Sequence, residues 1–103
     1  MSASLTPLRA EIDALDERII DLLARRYDVV RRVAVVKAAE GLPAVLPDRV
    51  EAVKQRAAAL GAARGLDPEF LTQLYQMIID EACRIEEAYF AATATPPAGP
   101  PRS

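Results

Sequence analysis

Residues 8–37 read LRAEIDALDERIIDLLARRYDVVRRVAVVK and carry the strongest apolar pattern of the chain. Its apolar residues alternate spacings of four and three, which is typical of a helix with a single apolar stripe. We call this stripe the seam, and it consists of Leu8, Ile12, Leu15, Ile19, Leu22, Val29, Val33 and Val36. No proline or glycine interrupts residues 8–40. The pattern therefore predicts one unkinked helix of about 34 residues, roughly 50 Å long.

Prolines divide the rest of the chain. Pro47 and Pro68 suit the first turn of a helix, where a missing N–H is tolerated, and Thr6 and Asp67 are predicted N-caps. Gly65 suits the left-handed conformation that ends many helices. These signals predict an all-α fold of three helices, over about 6–39, 47–63 and 68–92.

The predicted helical domain covers residues 1–92, and the remaining stretch, residues 93–103 (TATPPAGPPRS), has the composition of a disordered proline-rich tail. A compact chain of this size has a radius of gyration of only about 13 Å, so the first helix is too long for it. The two shorter helices cover the first only in part. We therefore predict an intertwined homodimeric helical bundle in which the seam packs on a second copy. The alternative is a kinked first helix in a monomeric bundle, but no residue supplies the kink.

Composition excludes several classes of catalysis. The chain has one cysteine and no histidine, so it cannot build a Ser-His-Asp triad, an imidazole base or a histidine metal ligand. A single cysteine closes no intrachain disulfide and builds no zinc site of several thiolates. We predict no metal site, and any chemistry has to use Arg, Lys, carboxylates and hydroxyls.

Charge and hydropathy also limit the partners. Thirteen Lys and Arg against 15 Asp and Glu give a net charge of −2, which argues against nucleic acid or an anionic membrane as the main partner. No apolar run approaches the roughly 20 residues that span a bilayer, and the first residues carry no signal pattern. The single cysteine fits a reducing cytoplasm, so we predict a cytoplasmic protein.

Two charged residues stand on apolar helix faces. Arg26 continues the seam, where its desolvation is costly unless an anion meets it. That anion is either an internal Asp or Glu or a bound ligand. Glu86 lies on the apolar face of the third helix, four residues after Ala82, whose small side chain leaves room for a cavity. The buried carboxyl either holds a proton and donates a hydrogen bond, or pairs with Arg26 or Lys37.

Two more cations are candidates for the same site. Lys37 follows Arg26 by eleven residues, or three helical turns, so both point to nearly the same side and their long side chains can approach each other. Arg49 lies in the first turn of the second helix, where a cation opposes the helix dipole. A role in binding an anion would explain its position.

These motifs resemble the all-helical (AroQ-class) chorismate mutases over residues 8 to about 90. The resemblance rests on the set L-R-x-x-I-D-x-L-D at 8–16, the R-R pair at 25–26, the lysine at 37, D-R at 48–49 and G-L-D at 65–67. It implies an intertwined dimer of three-helix protomers with two equivalent sites, no cofactor, and a small dianionic substrate. Each site is mostly within one protomer and is completed by an arginine of the partner's first helix.

The resemblance also implies a role for each site residue. Arg9 is similar to the arginine that the partner supplies to one substrate carboxylate, and Arg26 to the arginine that binds the other. Lys37 and Glu86 correspond to the two donors to the ether oxygen, for which Glu86 must be protonated. Arg49 corresponds to an arginine that helps to form the site. Lys37, Glu86 and Arg26 are thus the implied catalytic residues.

The chain departs from the family pattern where the ring substituent at C4 is recognised. Val50 stands where many members have a glutamate that contacts the C4 hydroxyl, Leu46 replaces an acidic residue, and Ala82 replaces a serine. The 4-amino-4-deoxychorismate mutases of antibiotic pathways resemble this chain in the pair at 49–50 and in CRIEE at 83–87. Isochorismate pyruvate lyases also lack the glutamate.

The implied activity is a [3,3] rearrangement, of chorismate to prephenate or of 4-amino-4-deoxychorismate to 4-amino-4-deoxyprephenate. It proceeds within one molecule and requires no nucleophile, metal or proton transfer, which agrees with the missing histidine. The alternatives are an isochorismate pyruvate lyase and a non-catalytic helical dimerisation or regulatory module. Four cations that converge on one apolar cleft argue against the non-catalytic module.

Overall fold

The computed structural model describes residues 3–94, and they form three α-helices joined by two short connections. α1 spans Thr6–Glu40, α2 spans Pro47–Ala62 and α3 spans Pro68–Thr93. The predicted all-α class and the three helices are confirmed, and residues 3–94 contain no strand. Most of the predicted tail, residues 95–103, lies outside the described residues, so its disorder stays a prediction.

One predicted helix cap is confirmed and one is wrong. The Asp67 carboxylate accepts a hydrogen bond from the backbone N–H of Glu69 at 3.1 Å, as expected of an N-cap. Thr6 is instead the first residue of α1, because the carbonyl of Leu5 already accepts the first helical bond, from the N–H of Arg9 at 2.9 Å. Leu5 has no side-chain acceptor, so α1 begins without a side-chain cap.

Glycines close the first two helices. Gly41 ends α1 with φ 69°, and the next N–H, of Leu42, donates to the carbonyl of Lys37 at 2.8 Å. The predicted left-handed residue after α2 is confirmed, since Gly65 has φ 80°. Both positions need a residue without a Cβ to reach this conformation at little strain.

α3 is the central element of the protomer. It packs against both α1 and α2, whereas the described parts of α1 and α2 do not pack against each other. The hydroxyl of Tyr27 donates to the carbonyl of Ile78 at 3.0 Å and ties α1 to α3. The buried positions are few: Val30, Ala34, Ala44, Ala57, Gly61, Leu71, Ile79, Ala82 and Glu86.

The N-terminal half of α1 is uncovered. Every residue from Thr6 to Leu22 is exposed, and the radius of gyration is 19.3 Å, well above the value of about 13 Å for a compact chain of this length. The seam residues of this half are 53–56% exposed: Leu8, Ile12, Leu15, Ile19 and Leu22. The prediction that the shorter helices cover α1 only in part is confirmed. In the described part of the chain, no helix is both long and apolar enough to cross a bilayer.

Candidate active site

A cavity of about 530 Å³ lies between α1 and α2, which both pack on α3. Its size is in the range of small-molecule sites. Three helices and the α1–α2 loop contribute its wall: Arg26, Val29, Val30, Val33 and Lys37 from α1, Ala44 and Leu46 from the loop, Arg49, Val50 and Val53 from α2, and Ile79, Ala82, Cys83 and Glu86 from α3. Five of the six predicted site residues therefore line one cavity.

Lys37 and Glu86 form a buried ion pair at the cavity wall. The Lys37 Nζ lies 2.8 Å from Glu86 Oε1, and the two side chains are 13% and 6% exposed. Of the two possibilities for Glu86, the structure shows the pairing with Lys37. The same ammonium donates to the carbonyl of Ala44 at 2.7 Å. An ammonium has three N–H donors, so one donor of Lys37 is left for a ligand.

Arg26 carries a charge that no carboxylate of the described chain neutralises. No Asp or Glu among residues 3–94 forms a salt bridge with it. Its guanidinium lies over the ring of Tyr75, 5.8 Å from the ring centroid, a distance suited to a cation–π contact. The neighbouring Arg25, by contrast, is exposed and pairs with Asp21 at 3.2 Å. A ligand anion is therefore the remaining candidate partner for the Arg26 guanidinium.

The α2 side of the cavity combines one cation with an apolar wall. Arg49 is exposed at the cavity edge and, within the part of the chain described, forms no salt bridge. Leu46 is the residue before α2, in an extended conformation with φ −115°, and lines the cavity together with Val50 and Val53. This wall offers no side-chain hydrogen-bond partner to a bound ligand.

Cys83 also lines the cavity, although it is not among the site residues predicted from the sequence. Burial raises the pKa of the Cys83 thiol, and the nearby carboxylate of Glu86 adds to this effect while Lys37 opposes it. The cavity wall thus carries a neutral thiol at this point. The signal was present, since Ile79, Ala82, Cys83 and Glu86 follow the i, i+3, i+4, i+7 pattern of one helix face.

Arg9 is the one predicted site residue that the protomer does not bring to the cavity. It lies in the exposed half of α1, about 25 Å before Arg26 along the helix axis. Because both residues belong to the same unbroken helix, no side-chain rotamer of Arg9 reaches its own cavity. Within residues 3–94, no group of three or more acidic or cysteine side chains is placed to hold a metal ion.

Comparison with known proteins agrees with this geometry. The profile of the family described as chorismate mutase type II matches residues 8–87. The chain is 48% identical over 83 residues to a 4-amino-4-deoxychorismate mutase of Streptomyces venezuelae, covering 81% of each protein. It is 37% identical over 92 residues to a 4-amino-4-deoxychorismate mutase of Streptomyces pristinaespiralis, covering 89% of this chain and 71% of that protein.

A more distant relative is a bifunctional chorismate mutase/prephenate dehydratase of Escherichia coli. It is 34% identical over 84 residues, which cover 82% of this chain and 22% of that longer protein. The family match over residues 8–87 covers α2, most of α1 and α3, and every residue that lines the cavity. The chain belongs to the chorismate mutase type II family.

Proposed function

We propose that the cavity binds a chorismate-like dianion and catalyses its [3,3] rearrangement, so that the chain acts as an isomerase. The observation that carries this proposal is the guanidinium of Arg26, which lines an apolar cavity without a carboxylate partner in the described chain. A forked guanidinium binds a carboxylate through two parallel hydrogen bonds. A substrate carboxylate would supply the missing counter-charge.

The reaction needs few functional groups because one C–O bond breaks and one C–C bond forms within the same molecule. The protein has to hold the substrate in a compact conformation, which arginine–carboxylate contacts achieve. It also has to stabilise the negative charge that develops on the ether oxygen. In our proposal Arg26 and Arg49 bind the side of the substrate that carries its carboxylates, and the third N–H of Lys37 donates to the ether oxygen of the substrate. Glu86, when protonated on Oε2, donates a second hydrogen bond.

We propose 4-amino-4-deoxychorismate as the preferred substrate and 4-amino-4-deoxyprephenate as the product. The names of the relatives at 48% and 37% identity support this choice. The apolar wall of Leu46, Val50 and Val53 supports it as well, because the C4 hydroxyl of chorismate would find no side-chain partner there. The wall thus argues against chorismate as the preferred substrate, and the names of the relatives select the amino compound.

We further propose that two chains form an intertwined antiparallel dimer through the seam. In an antiparallel helix pair, the two kinds of seam position face each other. One register then pairs Leu15 with Ile19 of the partner subunit, Ile12 with Leu22 of the partner subunit, and Leu8 with Arg26 of the partner subunit. Leu8, Ile12, Leu15, Ile19 and Leu22 are more than half exposed in the protomer. Burying them is a large hydrophobic gain.

This register also explains the position of Arg9. The C-terminal half of the seam, Arg26, Val29 and Val33, lines the cavity, whereas the N-terminal half is exposed. An antiparallel partner lays its exposed half along the cavity half of the first chain. Arg9 of the partner subunit then lies beside Arg26 and completes the cationic site. A cytoplasmic location is also part of this proposal, supported by the single cysteine.

A pair of adjacent isoleucines tests the dimer. Ile19 lies on the seam and Ile20 does not, although they are 55% and 64% exposed in the protomer. We expect Ile19→Glu to raise the dimer dissociation constant by about 100-fold or more, because the interface would bury an unpaired carboxylate from each chain. Ile20→Glu should leave it nearly unchanged. Sedimentation equilibrium measures both, and equal dissociation constants for the two variants would contradict the proposed interface.

A parallel assay tests the proposed activity. The purified protein is given 4-amino-4-deoxychorismate, chorismate and isochorismate separately, and the products are followed by liquid chromatography. We expect rearrangement of the first two with the higher kcat/KM for the amino compound, and no release of pyruvate from any of them. Pyruvate and salicylate from isochorismate would identify a lyase. No product from any of the three would overturn the proposed function.

A further inference from the structure

We infer that the cavity binds 4-amino-4-deoxychorismate with its amine as the uncharged free base, and that the ammonium form of the substrate is excluded. The inference rests on the proposed function and specifies the chemical form of its substrate. It is carried by the charges that surround the cavity and by the apolar character of the α2 wall.

The cavity is lined by more positive than negative charge. Arg26 and Lys37 face it from α1, Arg49 from α2, and Glu86 from α3, while the loop contributes only Ala44 and Leu46. The single lining carboxylate already accepts a hydrogen bond from Lys37 at 2.8 Å. The remaining titratable group, Cys83, is a neutral thiol because burial raises its pKa. An ammonium group of the ligand at the α2 wall would therefore lie among positive charges, with no lining carboxylate of α2 beside it.

The carboxylates that lie near the lining residues of α2 in the sequence do not change the balance of charge around the cavity. Asp48 and Glu51 belong to the first turns of α2 but do not line the cavity. Glu51 is paired with Lys54 at 3.0 Å. The carbonyl of Ala44 is an acceptor at the wall, but Lys37 donates to it at 2.7 Å. Among the described lining side chains, the carboxylate oxygen left over is Oε2 of Glu86 on α3, which our proposal assigns to the ether oxygen, so the α2 wall has no acceptor to replace the water that an ammonium loses on entry.

The α2 wall suits a neutral amine better than an ammonium. Leu46, Val50 and Val53 present only carbon atoms to the ligand. A neutral amine loses far less hydration free energy against such a wall than an ammonium does, so desolvation favours loss of the proton. The cations that line the cavity act in the same direction, because they raise the free energy of a further positive charge nearby.

Binding of the free base alone predicts a pH dependence that arises from titration of the substrate amine and not from titration of a protein group. Below the pKa of the amine, the free-base fraction rises about tenfold with each pH unit, and above that pKa it is constant. Chorismate has a hydroxyl in place of the amine and lacks this titration. The ratio of kcat/KM for the amino compound to kcat/KM for chorismate therefore rises with pH and then levels off. Protein groups that affect both substrates alike cancel in the ratio.

The experiment measures this ratio between roughly pH 6 and pH 9 for the unaltered protein, Val50→Glu and Val50→Gln. If turnover of chorismate is too slow, its inhibition constant against the amino compound replaces kcat/KM in the ratio. We expect a rising ratio for the unaltered protein and for Val50→Gln. Val50→Glu adds an unpaired carboxylate to the wall, which accepts the ammonium form, so its ratio should be flat or should fall with pH.

A ratio that is independent of pH, or that falls as pH rises, in the unaltered protein would overturn the inference even if Val50→Glu does not fold. A ratio that rises equally in Val50→Glu would also overturn it, because the local charge would then be irrelevant. Failure of the proposed function looks different: neither compound is rearranged at any pH.

Discussion

Arg26→Ala should fold as the unaltered protein does and should lose about 1,000-fold in kcat/KM, in line with the loss of a charged donor that binds both the substrate and its transition state. The side chain has no carboxylate partner within residues 3–94, so its removal leaves no buried charge behind. The contact that the structure shows between Arg26 and the rest of the protomer is the cation–π contact with Tyr75. Such a contact contributes only about 1 kcal/mol to the free energy of unfolding. Circular dichroism and thermal melting check the fold, and the rearrangement assay checks the activity.

The adjacent arginine is the matched control. Arg25→Ala removes the same side chain one position earlier on the same helix, where it is exposed and contacts only Asp21 in the structure described. An exposed i,i+4 pair of this kind contributes about 0.5 kcal/mol or less, so stability and turnover should change little. If the two variants lose activity equally, or if Arg26→Ala remains active, then Arg26 does not bind the substrate.

Mixing inactive variants extends the same prediction to Arg9. Arg9→Ala and Arg26→Ala should each be nearly inactive, because each removes a guanidinium from both sites of the proposed dimer. After mixing and exchange of chains, half of the dimers contain one chain of each kind. One of their two sites lacks both arginines and the other lacks neither, so the activity should recover to about one quarter of that of the unaltered protein. No recovery after demonstrated exchange would place Arg9 outside the shared site.

The sequence was most informative about where the helices begin and end and about which residues share a helix face. The prolines at 47 and 68 and the glycines at 41 and 65 act locally on the backbone, so their effects on the helix ends could be read without knowing the fold. Arg26 was conspicuous because a periodic apolar stripe defines the residue type expected at each position. The sequence could not reveal the distances between side chains on different helices. Periodicity gives the angular position of a residue on its own helix, but no distance to another helix.

Two details of the site depend on such distances. The carbonyl of Ala44 accepts from Lys37 because the loop before α2 forms part of the cavity wall, and the path of a loop has no periodic signal in the sequence. The choice of Lys37 over Arg26 as partner of Glu86 likewise depends on how α1 and α3 cross. Val30 and Ala34 are buried although each lies one residue after a seam position. The face of α1 that packs on α3 is therefore rotated by one residue, about 100°, from the seam.

Lys37→Met should lose activity by about 100- to 1,000-fold, since it removes the donor proposed for the ether oxygen. It should also destabilise the protein, by about 3 kcal/mol, because it breaks a buried ion pair and leaves Glu86, 5% exposed, without its partner. A loss of activity in this variant alone could therefore reflect a damaged structure. Denaturation by urea and steady-state kinetics on the same preparation measure both effects.

A second substitution separates the two roles of the ion pair. In Lys37→Met with Glu86→Gln, the buried carboxylate is replaced by a neutral amide, so much of the lost stability should return while the turnover stays low. A double variant that regains activity together with stability would show that Lys37 only supports the structure.

Glu86→Gln alone tests the proposed proton on the carboxyl group. The amide oxygen can still accept from Lys37, and the amide N–H donates at every pH, whereas the carboxyl of Glu86 donates only when it is protonated. If the Glu86 carboxyl donates to the ether oxygen, Glu86→Gln should therefore keep most of the kcat of the unaltered protein. If Glu86→Gln instead loses most of its kcat while it remains folded, then Glu86 acts as a carboxylate that positions the Lys37 ammonium, and Lys37 alone donates to the ether oxygen.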